Sequence, residues 1–261
     1  MRVLALESRR AVETAELIRR QGGDPFIAPA MREVPIGENS RVFRFADRLF
    51  AGEFEMMIFL TGVGARQLNR ILSERYGETA FADALRKIAV VARGPKPLAF
   101  LREMGITPSV VAPEPNTWRE LVRVIGGCNE RRIALQEYGR DNAELLEALR
   151  ARGAEVTTVR VYQYGLPLDP EPLREAARRL AAGEFRAVLF TSAVQIEHLA
   201  QVAREQGVEQ PMLEALRRCL IGSIGPTTTE ALQEFEIQPT FEPSHPKLGI
   251  LVKEAAERAR G

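Results

Sequence analysis

The sequence contains few of the residues that supply strong catalytic groups. Its 261 residues include two cysteines and two histidines, which are too few and too scattered for a disulfide framework or an ordinary zinc site. No charged leader followed by an apolar stretch opens the sequence, and apolar runs such as "MMIFL" are far too short to cross a bilayer. These absences favour a cytoplasmic protein in a reducing compartment, without a metal.

Several cofactor and nucleophile motifs are missing as well. There is no Gly-x-x-x-x-Gly-Lys-Ser/Thr loop, no Gly-x-Gly-x-x-Gly after the first strand and no Gly-x-Ser-x-Gly elbow. The formal net charge of +1 argues against a dedicated nucleic-acid binder. We therefore expect a small-molecule partner, no nucleic acid, no membrane and no cofactor.

The sequence repeats itself at a spacing of about 131 residues. The Gly-Pro pair that begins at Gly94 recurs at Gly225, and 225 − 94 = 131. The stretch "AGEF" at 51–54 recurs at 182–185 with the same spacing, and a looser match relates the opening strand to a later one at 132 − 2 = 130. A unit of this length has the size of a small domain rather than of a solenoid repeat. The chain is therefore predicted to contain two similar domains.

Each repeat alternates short apolar runs with amphipathic segments. In the second repeat the predicted strands are "RIALQE", "EVTTVRVYQY", "RAVLFTS" and "CLIGSIG", and the predicted helices begin near Asn142, Pro170, Ala193 and Pro226. Apolar runs of this length between helices are typical of parallel strands that are buried on both faces. We expect an α/β fold made of two similar, duplicated, doubly wound parallel-sheet domains.

In doubly wound sheets, ligands bind beyond the carboxyl ends of the strands. Helix N-termini at that edge present unpaired N–H groups, which suit anions. The corners between predicted strands and helices are rich in glycine, hydroxyl groups and arginine; they are Ser8–Arg10, Thr61–Gly64, Arg93–Lys96, Tyr138–Arg140, Ser192–Ala193 and Gly225–Thr228. Two domains facing each other would line a cleft with such corners, so an acidic ligand is predicted.

Several motifs together resemble the uroporphyrinogen-III synthase family. They are "TS" at 191–192, "GPTT" at 225–228, "RGAEVTTVRVYQ" at 152–163, "GRD" at 139–141 and the closing "PTFEPSHPKLGILV". The resemblance covers essentially the whole chain, in order. It implies two α/β domains joined by a two-stranded β-linker with the first segment exchanged: residues 1–35 plus 166–261 form one domain and 36–165 the other. The repeat spacing alone would suggest a single cut near Asn129.

The resemblance also implies a reaction. Hydroxymethylbilane is cyclised to uroporphyrinogen III, in the biosynthesis of tetrapyrroles such as haem, sirohaem and cobalamin, by a chain that is usually a monomer. Water leaves, the terminal pyrrole ring (D) inverts through a spiro intermediate, and no cofactor takes part. Because the bilane closes unaided to the uninverted isomer, the protein mainly has to position it.

The candidate site residues follow from the corners and from the resemblance. The resemblance places the family's tyrosine at Tyr162. As a phenol it stays protonated at neutral pH and could donate a hydrogen bond to the departing hydroxyl, or it could only pack at a domain edge. The substrate-binding candidates are residues that can hold carboxylates: Ser192, Thr227, Thr228, Arg140, Thr61, Gly62, Arg9, Arg10, Arg93, Lys96 and His245. The hydroxyl residues among them could equally cap helices.

Two features depart from the family pattern. Pro97 stands where a family threonine is often found, so the contacts of the first repeat are expected to differ. "LESRR" at 6–10 replaces the usual "TRP" opening, which leaves open whether Arg9 or Arg10 fills the corresponding role.

Two other functions stay open at this point. A two-lobed cytoplasmic binding module for a small acidic ligand would use the same corners, and a nucleotide-using α/β enzyme is disfavoured by the missing phosphate loops. Both predict ligand binding without tetrapyrrole turnover.

Overall fold

A computed structural model of the chain describes residues 1–37, 39–139 and 142–260. The chain divides into two units, of which unit 1 is Met1–Arg32 with Tyr164–Gly261 and unit 2 is Glu33–Gln163. The predicted domain boundaries, 1–35 with 166–261 and 36–165, stay a prediction.

The described residues form eleven strands and twelve helices, which alternate along most of the chain. The strands are β1 (Arg2–Ala5), β2 (Asp24–Ile27), β3 (Arg32–Pro35), β4 (Met56–Phe59), β5 (Ala89–Ala92), β6 (Val110–Val111), β7 (Arg132–Gln136), β8 (Glu155–Val159), β9 (Tyr162–Gly165), β10 (Ala187–Phe190) and β11 (Leu220–Ser223). The helices are α1 (Ala11–Arg20), α2 (Ser40–Phe50), α3 (Gly62–Tyr76), α4 (Ala80–Leu85), α5 (Pro95–Glu103), α6 (Trp118–Val124), α7 (Ala143–Ala151), α8 (Glu171–Ala181), α9 (Val194–Glu205), α10 (Glu209–Arg217), α11 (Pro226–Gln233) and α12 (Leu248–Arg258).

Each unit is built on its own parallel sheet. Unit 1 has the strand order β11-β10-β1-β2, and unit 2 has the order β6-β5-β4-β7-β8. The first strand of the chain, β1, thus pairs with β10 from the second repeat, while β7 pairs with β4 from the first. A separate two-stranded sheet joins β3 to β9. The predicted α/β class with parallel sheets is confirmed.

The duplication is visible in the elements themselves. The start of β4 maps onto that of β10 (187 − 56 = 131), β5 onto β11 (220 − 89 = 131) and α2 onto α8 (171 − 40 = 131). A parallel bridge between Gly222 and Phe241 adds a short edge next to β11, where β6 lies next to β5 in unit 2 (241 − 110 = 131). Both sheets therefore have the same order of elements.

The central strands are buried on both faces, which explains their continuous apolar sequences. All four residues of β4 and of β10 are buried. In unit 1, Leu4 packs in a cluster formed with helices α8 to α11, whereas its neighbours Val3 and Ala5 pack in a second cluster with α1 and α12. Helices on both faces and alternate burial along the strand are the pattern expected for a doubly wound sheet.

The predicted helix starts agree with the structure, but one predicted strand is wrong. Helices α7, α8, α9 and α11 begin within one residue of the expected positions. The run "EVTTVRVYQY" forms two strands instead of one, because β8 pairs with β7 whereas β9 pairs with β3. The change occurs at Arg160 and Val161, where the Val161 carbonyl already accepts from the Ile36 N–H at 3.2 Å. A continuous β-rich sequence gave no sign of this change of partner.

Glu55, immediately before β4, ties that strand to the start of β7. Its carboxylate accepts from the backbone N–H groups of Arg131 at 2.7 Å and Arg132 at 3.0 Å, and from the Arg132 guanidinium at 3.0 Å. These hydrogen bonds, the Arg132 N–H first, lower the pKa of Glu55 to about 2. Ionised Glu55 therefore stabilises the folded state relative to the unfolded chain.

Candidate active site

In unit 1, the corners after β1, β10 and β11 lie side by side. These strands are neighbours in a parallel sheet, so their carboxyl ends meet at one edge. The corners carry five of the predicted residues: Arg9 and Arg10 after β1, Ser192 after β10, and Thr227 and Thr228 after β11. The fold brings these five candidates to the same edge.

The corner after β1 already holds a carboxylate from the chain. Glu7 Oε1 accepts from the N–H groups of Arg9 at 3.0 Å and Arg10 at 3.3 Å, just before α1. The other oxygen, Oε2, accepts from the Thr191 hydroxyl at 2.7 Å. The N–H groups of Arg9 and Arg10 at this corner are thus used by Glu7.

Both of those arginine side chains are exposed. Arg10 pairs with Glu13 one turn along α1, through a contact of 2.6 Å from Nε, and this hydrogen bond lowers the pKa of Glu13. Arg10 thus has an acidic partner on its own helix.

The corner after β10 is organised by a buried glutamine. Gln195 Oε1 accepts from the N–H groups of Thr191 at 2.7 Å and Ser192 at 3.1 Å. Its amide nitrogen donates to the Leu6 carbonyl at 2.8 Å and to the Thr191 hydroxyl at 3.0 Å. The Ser192 N–H is therefore occupied, whereas the Ser192 hydroxyl forms no hydrogen bond with the described residues and can receive a ligand.

The corner after β11 has donors that the described part of the chain does not use. Gly225 precedes α11, and its carbonyl accepts from the N–H groups of Thr228 at 3.0 Å and Thr229 at 3.1 Å. The N–H and the hydroxyl of Thr227 form no hydrogen bond within the described ranges. Thr229 instead bonds the Ser223 hydroxyl at 2.9 Å. The N–H and the hydroxyl of Thr227 at this corner are therefore available to an anion.

His245 lies on the loop between the Phe241 bridge and α12. Its side chain is exposed, and its carbonyl accepts from the Lys247 N–H at 2.7 Å. The loop is tied to α12 because Glu254 accepts from the Ser244 N–H at 3.0 Å, which is the main reason that the pKa of Glu254 is lowered. The ligand contact of His245 stays a prediction.

In unit 2, Thr61 and Gly62 form the corner between β4 and α3. The Thr61 hydroxyl caps α3 by accepting from the Gly64 N–H at 3.0 Å, and its own N–H donates to Gln136 Oε1 at 3.2 Å. A side chain on Gly62 would place its Cβ 2.7 Å from the Lys96 carbonyl. Gly62 therefore lets the corners after β4 and β5 approach closely, which is a packing reason for glycine at this position.

The corner after β5 carries two cationic candidates of unit 2, Arg93 and Lys96. The Arg93 guanidinium lies 5.2 Å from the ring centroid of Tyr138, which follows β7, and Lys96 is exposed in the first turn of α5. Lys96 and Pro97 stand where the second repeat has Thr227 and Thr228 (227 − 96 = 131). Arg140 lies outside the described residues.

Tyr162 is one of the most buried large side chains of the protein, with 1% of its surface exposed. It begins β9, and its hydroxyl lies 3.4 Å from Thr61 Oγ1. The predicted catalytic tyrosine and the predicted substrate-binding threonine are thus neighbours within unit 2. Burial limits the contact of Tyr162 with solvent, so its role as a donor stays a prediction.

These edges offer hydrogen-bond donors and positive charge rather than strong bases. Within the described ranges, no group of three or more His, Cys, Asp or Glu side chains is placed to hold a metal ion. Hydroxyl groups, backbone N–H groups and arginine or lysine side chains can bind and orient a polycarboxylate.

Three residues of these corners were not found from the sequence: Glu7, Gln136 and Gln195. Glu7 directly follows the apolar run of β1, so its place at the carboxyl edge could have been inferred. The glutamines gave no signal, because the direction of a buried amide depends on which neighbour leaves space for it.

The fold and these edges define a duplicated, doubly wound α/β protein whose strand-to-helix corners are suited to an acidic ligand. The family model described as "Uroporphyrinogen-III synthase HemD" matches residues 12–253. The chain belongs to the uroporphyrinogen-III synthase family, a family of cyclising lyases.

Individual relatives cover almost the whole chain. The Bacillus subtilis protein YjjA, which is uncharacterized, is 30% identical over 96% of this chain and 93% of its own. A Methanothermobacter thermautotrophicus protein, named only provisionally as a uroporphyrinogen-III synthase, is 31% identical over 87% of each chain. A solved mutant uroporphyrinogen III synthase from the extreme thermophile Thermus thermophilus is 27% identical, with a TM-score of 0.75 over 99% of each chain.

Across the part of the chain that the structure describes, none of the helices is both long enough and apolar enough to pass through a bilayer.

Proposed function

We propose that this chain cyclises hydroxymethylbilane to uroporphyrinogen III, with inversion of the terminal ring and loss of water. The observation that carries the proposal is the family match over residues 12–253 together with the corner at Gly225–Thr228, which keeps donors for carboxylates. Solved relatives that are named as this enzyme share the fold over nearly their full length, which supports the same activity here.

In this proposal, each unit offers its own kind of contact to acetate and propionate groups. In unit 1 the N–H and hydroxyl of Thr227 and the hydroxyls of Thr228 and Ser192 donate hydrogen bonds. In unit 2 the charges of Arg93 and Lys96 attract carboxylates. Arg9, Arg10 and His245 are exposed and add positive or polar contacts in unit 1. Arg140 is proposed from the family resemblance alone.

The chemical step needs little acid–base help. The C–O bond of the hydroxymethyl group breaks, the hydroxyl leaves with a proton as water, and the substituted carbon of the terminal ring bonds to the methylene carbon that is left. In the resulting spiro intermediate, the older bond from this ring carbon to its bridge carbon breaks, and the bridge carbon bonds to the unsubstituted carbon of the same ring. That carbon then loses its proton, which gives the inverted macrocycle. Tyr162, supported by Thr61 at 3.4 Å, is the proposed donor of a hydrogen bond to the departing hydroxyl. The main contribution of the protein is to select the carbon that reacts, by fixing the pose of the substrate.

The isomer composition of the product tests this function. The purified chain is mixed with enzymatically generated hydroxymethylbilane, the products are oxidised, and the type I and type III porphyrins are separated. We expect mainly type III with the chain and only type I without it. Type I alone, formed at the uncatalysed rate, would contradict the proposal; tight product binding in that case would instead support a binding module.

A further inference from the structure

We propose that two buried glutamines, Gln195 in unit 1 and Gln136 in unit 2, are positioning residues that fix the shape of the substrate-binding corners. This inference rests on the proposed function for its effect on turnover. Its structural part concerns hydrogen bonds within each unit and can be tested without substrate.

In unit 1 every hydrogen-bonding position of the Gln195 amide is used. Its oxygen accepts two backbone N–H groups, those of Thr191 and Ser192, and its nitrogen donates to the Leu6 carbonyl and to the Thr191 hydroxyl. Gln195 has no exposed surface. One side chain thus joins the residue that follows β1 to the corner that follows β10.

In unit 2 the Gln136 amide makes the same kind of connection. Its oxygen accepts from the Thr61 N–H at 3.2 Å and its nitrogen donates to the Glu137 carbonyl. Gln136 is also fully buried. This side chain joins the end of β7 to the corner after β4. In the repeat, β7 corresponds to β1 and β4 corresponds to β10.

The two glutamines are not equivalent in the repeat, although their amides lie at equivalent corners. Position 195 corresponds to Gly64 (195 − 131 = 64), and position 136 corresponds to Leu6 (136 − 130 = 6). A side chain on Gly64 would place its Cβ 2.1 Å from Gln136 Nε2, so the glycine leaves the space that the amide fills. Each unit therefore has one glutamine amide at this corner. In unit 1 the glutamine belongs to helix α9, and in unit 2 it belongs to strand β7.

These amides act through residues of the proposed site. Gln195 holds the backbone of Ser192 and orients the Thr191 hydroxyl, which donates to Glu7. Glu7 in turn accepts from the N–H groups of Arg9 and Arg10. A fully paired buried amide is rigid, because every alternative orientation leaves a polar group unpaired.

In unit 2, Gln136 holds the backbone of Thr61, whose hydroxyl lies 3.4 Å from that of Tyr162. A small displacement of such groups strongly reduces a reaction that depends on pose. The amides are therefore expected to affect the choice of isomer and the turnover rate more than the folding of the chain.

The test replaces each amide and then moves it. Gln136→Met and Gln195→Met remove the amides at nearly constant length. Gln136→Leu with Gly64→Gln gives unit 2 the arrangement of unit 1, and Gln195→Gly with Leu6→Gln does the reverse. Gln206→Met is the matched control, because Gln206 also donates to backbone carbonyls, those of Arg174 and Val202, but lies at the C-terminal end of α9.

Two readouts are combined. Residue-resolved amide exchange is measured for Thr61, Thr191 and Ser192, and kcat, KM and the ratio of type III to type I product are measured on the same samples. We expect each Met variant to speed exchange at its own corner about tenfold, the value for one lost hydrogen bond, and to lower kcat and the type III fraction with a smaller change in KM. The relocated variants should recover both, and Gln206→Met should change neither.

The two ideas fail separately. If the unmodified chain yields only type I product, the proposed function is wrong, while the exchange data still decide whether the amides hold the corners. If it yields type III and the Met variants keep the isomer ratio and kcat, the positioning role is overturned. Unchanged amide exchange, or relocated variants that recover neither exchange nor isomer ratio, would also overturn it.

Discussion

Replacing Gly64 with alanine tests the packing of the unit 2 corner quantitatively. The new Cβ would lie 2.1 Å from Gln136 Nε2 and 2.9 Å from its Cδ, distances that side chains do not adopt. Either the corner deforms, which costs about 1–3 kcal/mol, or the buried amide leaves Thr61 and Glu137 without partners, which also costs about 1–3 kcal/mol. Alanine recovers at most about 1 kcal/mol of helix propensity, so we expect a net loss of roughly 1–2 kcal/mol.

The measurement uses the single tryptophan of the chain, Trp118, which is half-buried in unit 2. Its fluorescence during urea unfolding should show a midpoint lowered by about 1 M for Gly64→Ala. Gly127→Ala is the control in the same unit, since nothing lies within 4 Å of its Cβ, and its midpoint should stay nearly constant. In a Gln136→Ala background, Gly64→Ala should cost little more, because the clash is gone. A Gly64→Ala midpoint equal to or above that of Gly127→Ala would refute this reasoning.

Three further predictions follow from other contacts. Because the pKa of Glu55 falls to about 2, its contribution to stability is complete above the usual carboxyl range and is lost as the pH falls from about 4.5 to about 2. In Glu55→Gln, the free energy of unfolding should therefore lack this part of the decrease with falling pH. The control Glu53→Gln removes an exposed ion pair, so its acid unfolding should match that of the parent. Tyr162→Phe should slow type III formation roughly a hundredfold, while the chain stays folded in the assay, and an unchanged rate would remove the phenol from the mechanism. Thr228→Val should weaken product binding about five- to tenfold with little change in its salt dependence. Lys96→Met should make product binding less sensitive to salt. Equal salt dependence in both variants would contradict the proposal that unit 1 binds carboxylates through uncharged donors and unit 2 through positive charges.

The fold class could be predicted because the repeat and the buried runs are local features of the sequence. The spacing of 131 residues relates β4 to β10 and β5 to β11, and their apolar sequences show burial on both faces. The partner of β1 could not be obtained in this way. In a duplicated chain β1 has two similar candidates, β4 and β10, so the spacing does not decide between them, and only the resemblance pointed to the exchanged segment.

The positions of the corners could be predicted from the sequence, but the hydrogen bonds within them could not. The rule for the carboxyl ends of strands located Ser192 and Thr227 at one edge of unit 1. It could not show that Glu7 and Gln195 each accept from two backbone N–H groups at their corners, since this depends on side-chain directions. Gly64 similarly has no meaning in the sequence until the position of Gln136 is known.

The central claim is that the chain determines which carbon of the bilane reacts, and a concentration series tests it most directly. Spontaneous closure to type I proceeds at a fixed rate, so it provides an internal reference rate for every reaction. With increasing amounts of the chain, the type III fraction should rise from zero and approach one. The rate of bilane consumption should rise above the spontaneous rate by an amount proportional to the concentration of the chain. A product that stays entirely type I at every concentration of a folded chain would contradict the account.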